Sequence, residues 1–231
     1  MSDLAAENTS RTIAGTRTGH PAADPGPPEL DDAPGSWPVA SSAELGTGRI
    51  VRLRQDEVEL PDGQHVHREV IEHPGAVAVV AVDQTDRVLL IRQYRHPAAA
   101  TLWELPAGLR DVAGEPLLDT ARRELREEAG YQANEWHLLA DFLSSPGIST
   151  ERIRVFLARD LSVVPEGDDE YVREHEEAYL TAAWVPLTEV VSRIQEGHLH
   201  NGVTILGILS AYVARGAGFH GLRPADEPEG W

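Results

Sequence analysis

Between Pro116 and Gly130 the chain places Leu118, Ala121, Leu125 and Ala129 at the i, i+3, i+7 and i+11 positions of a single helical stripe. Proline fits the first turn of a helix and glycine is favoured just past its end, so the two residues bracket a helix. The same segment reads Arg123-Glu124-Leu125-Arg126-Glu127-Glu128. That spacing puts Glu124, Glu127 and Glu128 at i, i+3 and i+4, on one face, where like charges repel. A helix face that only meets water more usually mixes signs, whereas a hard cation such as Mg²⁺ takes converging oxygen ligands. Helix geometry alone leaves both readings open, a solvated glutamate-rich face or a metal-binding one.

Strand patterns flank this helix. Val51, Leu53, Val58 and Leu60 alternate up to a Pro61-Asp62-Gly63 turn, and Val66 to Ile71 returns, which predicts a β-hairpin. Gly75 to Val82 and Val88 to Arg95 read as apolar strands joined by the polar Asp83–Asp86 turn, and Thr101 to Leu105 as a short strand ended by Pro106-Ala107-Gly108. Further strands are expected at Trp136 to Leu143, Ile153 to Ala158 and Leu180 to Val185, then helices over about 187–196 and 203–214. The order is α+β, without internal repeats. Residues 1–44 hold Pro21, Pro25, Pro27, Pro28, Pro34 and Pro38 among small and polar residues, a composition that buries too little surface to offset its ordering entropy, so they read as a disordered tail. The domain is expected over 45–217, with a loose tail at 218–231.

Composition excludes several classes of function. Hydrophobic residues make up 41 % of the chain and charged residues 25 %, ordinary values for a packed domain. The 38 acidic against 20 basic residues give a formal charge of −18, which repels a nucleic-acid backbone. A phosphate-bearing small molecule remains compatible if divalent cations stand between it and the carboxylates. There is no cysteine, hence no thiolate zinc site and no thiol nucleophile. The longest apolar run, Ala76 to Val82, is far short of the roughly 20 residues of a membrane span. The N-terminal residues do not resemble a secretory signal, which makes the cytoplasm the expected compartment. His73, His96, His137, His175, His198 and His200 show no ligand spacing, and Trp103, Trp136 and Trp184 read as core residues within strands.

Gly108, Glu115 and Arg123-Glu124-Leu125-x-Glu127-Glu128-x-Gly130-Tyr131 together resemble the Nudix box, the loop-helix-loop motif of the Nudix hydrolases. The match holds position by position from Glu115 onward, and the stretch between Gly108 and Glu115 is one residue longer than the family pattern. Arg92-Gln93-Tyr94-Arg95-His96-Pro97, Leu102-Trp103-Glu104-Leu105-Pro106-Ala107-Gly108 and Pro146, sixteen residues after Gly130, are similar to the bacterial ADP-ribose pyrophosphatase branch.

The resemblance implies an α/β/α sandwich around a mixed sheet, preceded by the N-terminal hairpin. It implies two or three Mg²⁺ ions, with Mn²⁺ as a substitute, held by Glu124, Glu128, Glu127 and the backbone carbonyl of Ala107, and Arg123 paired with a glutamate. Arg95 would contact the substrate, Ser145, Pro146 and Gly147 would line its pocket, and Arg68 and Glu69 would reach the adenosine moiety across a homodimer interface. The general base would lie in the acidic loop Asp160 to Ala178, with Glu177 first and Glu176 second. The implied reaction is hydrolysis of ADP-ribose to AMP and ribose 5-phosphate. Another nucleoside diphosphate sugar or a dinucleotide is the alternative substrate. A non-hydrolytic, ADP-ribose-sensing Nudix domain is the alternative function, and the intact glutamates weigh against it.

Overall fold

A computed structural model describes residues 30–165 and 180–230, and the folded unit spans Ser36–Gly230. Among the described residues eleven strands and three α-helices follow in the order β1 (Val39–Thr47), β2 (Arg52–Glu59), β3 (His65–Glu72), β4 (Ala76–Ala81), β5 (Arg87–Arg95), β6 (Ala100–Glu104), β7 (Ala107–Leu109), α1 (Leu117–Ala129), β8 (Tyr131–Leu143), β9 (Arg152–Val163), β10 (Thr181–Pro186), α2 (Leu187–Gln195), α3 (Gly202–Gly216) and β11 (Arg223–Pro224).

The central sheet has the order β11-β8-β9-β4-β7. Its β4 runs parallel to β9 and antiparallel to β7, so the sheet is mixed. Alternate residues of a strand point to opposite faces, and in the wholly apolar β4 both faces are covered. Ala78, Val80, Val155 and Leu157 pack with Leu187, Val190, Ile208 and Ala211 of α2 and α3. Val77, Val79, Ala81, Phe156 and Ala158 pack instead with Ala121 and Leu125 of α1. The result is the expected α+β sandwich, with α1 on one face and the other two helices on the opposite face. A smaller sheet of order β10-β5-β6 carries the strand that ends at Arg95. No helix among the described residues is long and apolar enough to cross a membrane.

The predicted hairpin is present as β2 and β3, paired from Arg52↔Glu72 to Glu59↔His65. A third strand, β1, joins it antiparallel and begins inside the segment that composition assigns to the tail. Every residue of β1 is exposed. Its order comes from the backbone ladder to β2, helped by Ser41 Oγ donating to Glu57 at 3.0 Å and Ser42 Oγ to Asp56 at 2.7 Å. Backbone pairing needs no apolar pattern, so hydrophobic periodicity does not reveal such a strand. For the same reason β8 and β9 extend beyond their apolar stretches, through pairs such as Gln132↔Ser162 and Glu135↔Arg159.

The other end of the chain also departs from expectation, because residues 218–230 dock rather than trail. Arg154 of β9 is only 4 % exposed. Its guanidinium donates to both carboxylate oxygens of Asp141, at 2.6 and 3.0 Å, and to the carbonyl of Glu227 at 2.5 Å. Arg110 meets Glu229 at 3.0 Å, and β11 pairs with β8. A buried arginine needs acceptors, and the C-terminal carbonyls of Glu227 and Pro228 supply two of them.

Helix α3 ties the sheet to the β6–β7 turn. Asn201 caps it by accepting from Thr204 N at 2.9 Å, and the fully buried Thr204 hydroxyl accepts from Leu105 N at 3.2 Å. Gly207 lets the helix approach closely, because a Cβ there would lie 2.7 Å from Leu105 Cδ1, 3.1 Å from Val80 Cγ2 and 3.3 Å from Val155 Cγ1. Gly207→Val is therefore expected to destabilise the fold by about 2–3 kcal/mol through overpacking. Urea unfolding would measure the loss, and an unchanged midpoint would contradict the close approach.

Candidate active site

Helix α1 packs Ala121 and Leu125 into the core while Glu124 and Glu128, four residues apart, are buried at its edge against β7. Glu128 Oε2 accepts from Ala107 N at 2.8 Å. Glu124 lies so close to Gly108 that a Cβ on that residue would sit 2.0 Å from the carboxyl carbon. A larger residue there would force the Glu124 carboxylate out of this position. Glu127, the third predicted acid, is more open and turns toward Arg123 rather than β7, with its Oε2 3.3 Å from Nη1.

Arg123 organises the acids around it. Its Nε and Nη2 donate to the two oxygens of Glu115 at 3.2 Å each, and its Nη1 donates to Glu124 Oε1 at 2.7 Å. The hydrogen bond from Arg123 holds the Glu115 carboxyl below its usual range against the opposing effect of burial, with help from the Thr120 hydroxyl. The same bond pushes the Arg123 guanidinium further up. At the end of the loop that is one residue longer than the family pattern, Glu115 is thus held on Arg123 and Thr120. The loop turns just before it, where Glu115 N donates to Val112 O at 3.2 Å and Gly114 adopts φ +79°.

Glu124 behaves differently. Burial pushes its carboxyl up to about 7, with Arg123 opposing and the negative charges of Glu127 and Asp111 adding to the rise. An acid placed where its ionised form is disfavoured is one that a cation would ionise and stabilise. Among the described residues no three acidic or histidine side chains close into a ready-made cage. Mg²⁺ is commonly held by one or two carboxylates together with water and substrate phosphates. An open pair of buried carboxylates beside the backbone of Ala107 and Gly108 fits that mode.

Ala107 and Gly108 also form a wall of a cavity of ≈ 320 Å³, lined by apolar Leu105, Ile153 and Val203 and by the polar Arg95, Glu104, His73 and Glu151. Such a mixture of apolar wall and a few convergent polar groups is typical of small-molecule sites. Arg95 donates from Nε and Nη2 to Glu104, which is 3 % exposed. His73 Nδ1 accepts from Gly75 N at 3.0 Å, with Glu151 Oε1 3.5 Å away.

The cavity thus brings Arg95 together with Ala107 and Gly108, the two residues that touch Glu128 and Glu124, but Glu124, Glu127 and Glu128 do not themselves line it, and not every other expected residue joins them. Ser145, Pro146 and Gly147 form the exposed β8–β9 turn and do not line it. That turn is instead fastened to β3, with Ile71 N donating to Ile148 O at 2.8 Å. Arg68 and Glu69 are exposed on β3, opposite Asp56 and Gln55, and are not part of the cavity wall. Glu176 and Glu177 lie outside the described residues. Glu104, His73 and Glu151 were not singled out by sequence reasoning. The signal for Glu104 is an acid set inside the otherwise apolar Leu102-Trp103-Glu104-Leu105, whereas His73 and Glu151 carry no local signal because they meet across distant strands.

Comparison with known proteins agrees with this geometry. A family model described as the NUDIX domain matches residues 72–204. An ADP-ribose pyrophosphatase of Mycobacterium tuberculosis is 47 % identical over 80 % of this chain and 87 % of its own length. One of Bacillus subtilis is 41 % identical over 56 % of this chain and 71 % of its own. Among solved structures, one titled as an ADP compounds hydrolase superposes with a TM-score of 0.65 at 20 % identity, covering 81 % of this chain and 99 % of that one, a likeness of fold. The acid-bearing helix, the glycine it presses on and the family match over more than half the sequence agree: this chain belongs to the Nudix hydrolases, a family of divalent-cation-dependent enzymes.

Proposed function

We propose that this enzyme hydrolyses the pyrophosphate bond of ADP-ribose, releasing AMP and ribose 5-phosphate. The observation that carries the reading is the placement of Glu124 and Glu128 behind the Ala107–Gly108 wall of a cavity that also presents Arg95. The names of the two bacterial relatives support the choice of substrate. A pyrophosphate resists attack because adjacent phosphate charges repel an incoming oxygen. Cations bound at Glu124, Glu127, Glu128 and the Ala107 carbonyl, two or three Mg²⁺ or alternatively Mn²⁺, would neutralise that charge and activate a water for in-line attack.

The protein's own residues do the rest. Arg123, shared between Glu115, Glu124 and Glu127, holds these carboxylates in place and offsets part of their mutual repulsion. Arg95 offers a guanidinium to a phosphate or ribose oxygen. Glu177, or Glu176 next to it, takes the proton from the attacking water. Ser145, Pro146 and Gly147, outside the cavity wall, would border only a part of the substrate that extends beyond it, and Arg68 and Glu69 reach the adenosine moiety of the site in a partner copy, which makes the working form a homodimer. The exposure of β3 and the fixed position of the β8–β9 turn beside it are compatible with that arrangement.

Incubation with Mg²⁺ and, separately, ADP-ribose, GDP-mannose, NADH and a nucleoside triphosphate tests the substrate. Preferred release of AMP and ribose 5-phosphate is expected. Cleavage of another compound would keep the chemistry and change the substrate, and tight binding of ADP-ribose without turnover would replace the enzyme reading with a sensor. Glu128→Gln and Glu177→Gln are each expected to lower kcat by about 100-fold or more with the fold intact by circular dichroism. Wild-type turnover in either would remove that residue from the mechanism.

The raised Glu124 carboxyl makes a separate prediction for metal-free protein. The folded state retains a proton that the unfolded chain releases as pH passes the ordinary value of 4.5, until the folded carboxyl ionises near 7. The folded state binds more protons in that window, so this group's contribution to stability falls from pH 4.5 to 7 and is level above. Glu124→Gln removes the effect, and the variant should gain about 2 kcal/mol on the wild type between pH 5 and pH 8 in EDTA. Parallel stability curves for the two proteins would refute the assignment.

A further inference from the structure

Strands β5 and β6 form a hairpin whose register sets Glu104 opposite Ile91, while Gln93 and Arg95 follow Ile91 on the same face of β5. Both neighbours converge on one carboxylate. Gln93 Nε2 donates to Glu104 Oε2 at 3.2 Å. Arg95 Nε reaches Oε1 at 3.0 Å and Oε2 at 3.1 Å, and its Nη2 reaches Oε2 at 2.7 Å. Gln93 is 6 % exposed and Glu104 3 %, whereas the Arg95 side chain is 46 % exposed and stands on the cavity rim.

Stability does not account for this cluster. Taking a carboxylate out of water costs several kcal/mol, and a partner that stays half in solvent repays little of it. What the contacts do achieve is orientation. A guanidinium is planar, and engaging its Nε and Nη2 edge fixes that plane and so the direction of the whole fork of donors. Gln93 holds the carboxylate from the buried side, so the acid cannot swing to follow the arginine. Two buried polar side chains are thus committed to fixing the position of one exposed cation at the edge of the site.

We propose that Glu104 is a positioning residue for substrate binding: through its double contact with Arg95, and held by Gln93, it aims the Arg95 guanidinium at the ADP-ribose bound in the cavity. This rests on the reading of the cavity as the ADP-ribose site. It assigns Glu104 no contact with the reacting atoms, so its loss should weaken binding of substrate rather than slow the chemical step.

The test is a double-mutant cycle on the full-length enzyme with Mg²⁺ and ADP-ribose. Glu104→Gln keeps the shape and removes the charge. It is expected to raise KM about 10- to 100-fold, the effect of one misdirected charge-assisted hydrogen bond, and to leave kcat within about threefold of wild type. Arg95→Ala should raise KM at least as far, and adding Glu104→Gln to Arg95→Ala should change KM no further. If Arg95→Ala alters neither constant, the cavity reading itself fails. If Arg95→Ala raises KM but Glu104→Gln does not, or if Glu104→Gln raises it equally without Arg95, the positioning role is wrong and the site stands. Should Glu104→Gln not fold, Glu104→Asp, which withdraws the carboxylate by one methylene, must give the same pattern.

Discussion

The approach of α1 to β7 at Gly108 is the constraint on which the site depends. The helix has to bury Ala121 and Leu125 against the central sheet, and that depth carries Glu124 and Glu128 below the surface with them. A side chain at position 108 would collide with the Glu124 carboxyl. With glycine there, the backbone of β7 lies against two acids, and Ala107 N satisfies one of them directly. Packing thus raises the cost of ionising Glu124, a cost that a bound cation would offset.

In a chain with a formal charge of −18, three arginine clusters stand where charge is buried, either the acid's or the arginine's own. Arg123 serves Glu115, Glu124 and Glu127, Arg95 serves Glu104, and Arg154, itself buried, is neutralised by Asp141. In each case the guanidinium fixes a geometry as well as a charge, since its donors engage more than one oxygen. Two of the three clusters border the cavity or the box helix. The third fastens the C-terminal segment across β8 and β9, where Arg110, just past the β7 strand, meets Glu229. The end of the chain therefore braces the loop that leads into the box.

Much of the core was legible from periodicity. The apolar run Ala76 to Val82 and the stripe Leu118, Ala121, Leu125 and Ala129 each fix which faces are buried, because a packed interior admits those patterns in few ways. The strands that escaped, β1 and β7, are held by backbone pairing, and β7 is three residues long. The docked C-terminus escaped for a related reason: the buried Arg154 holds it by main-chain carbonyls, which every residue has, and β11 by backbone pairing.

For the site the division is similar. The sequence by itself determined the acids of α1, their spacing, the pairing of Arg123 with glutamate and the glycine beside them, since one helical turn and a motif set all of these. Only the tertiary structure decided that Glu124 and Glu128 are buried while Glu127 is open, that Arg95 leans on Glu104, and that His73 and Glu151 face one cavity from strands far apart in the chain. Helical spacing is a local property written into consecutive residues. Burial and cross-strand contact depend on which elements pack together, and no window of sequence contains that.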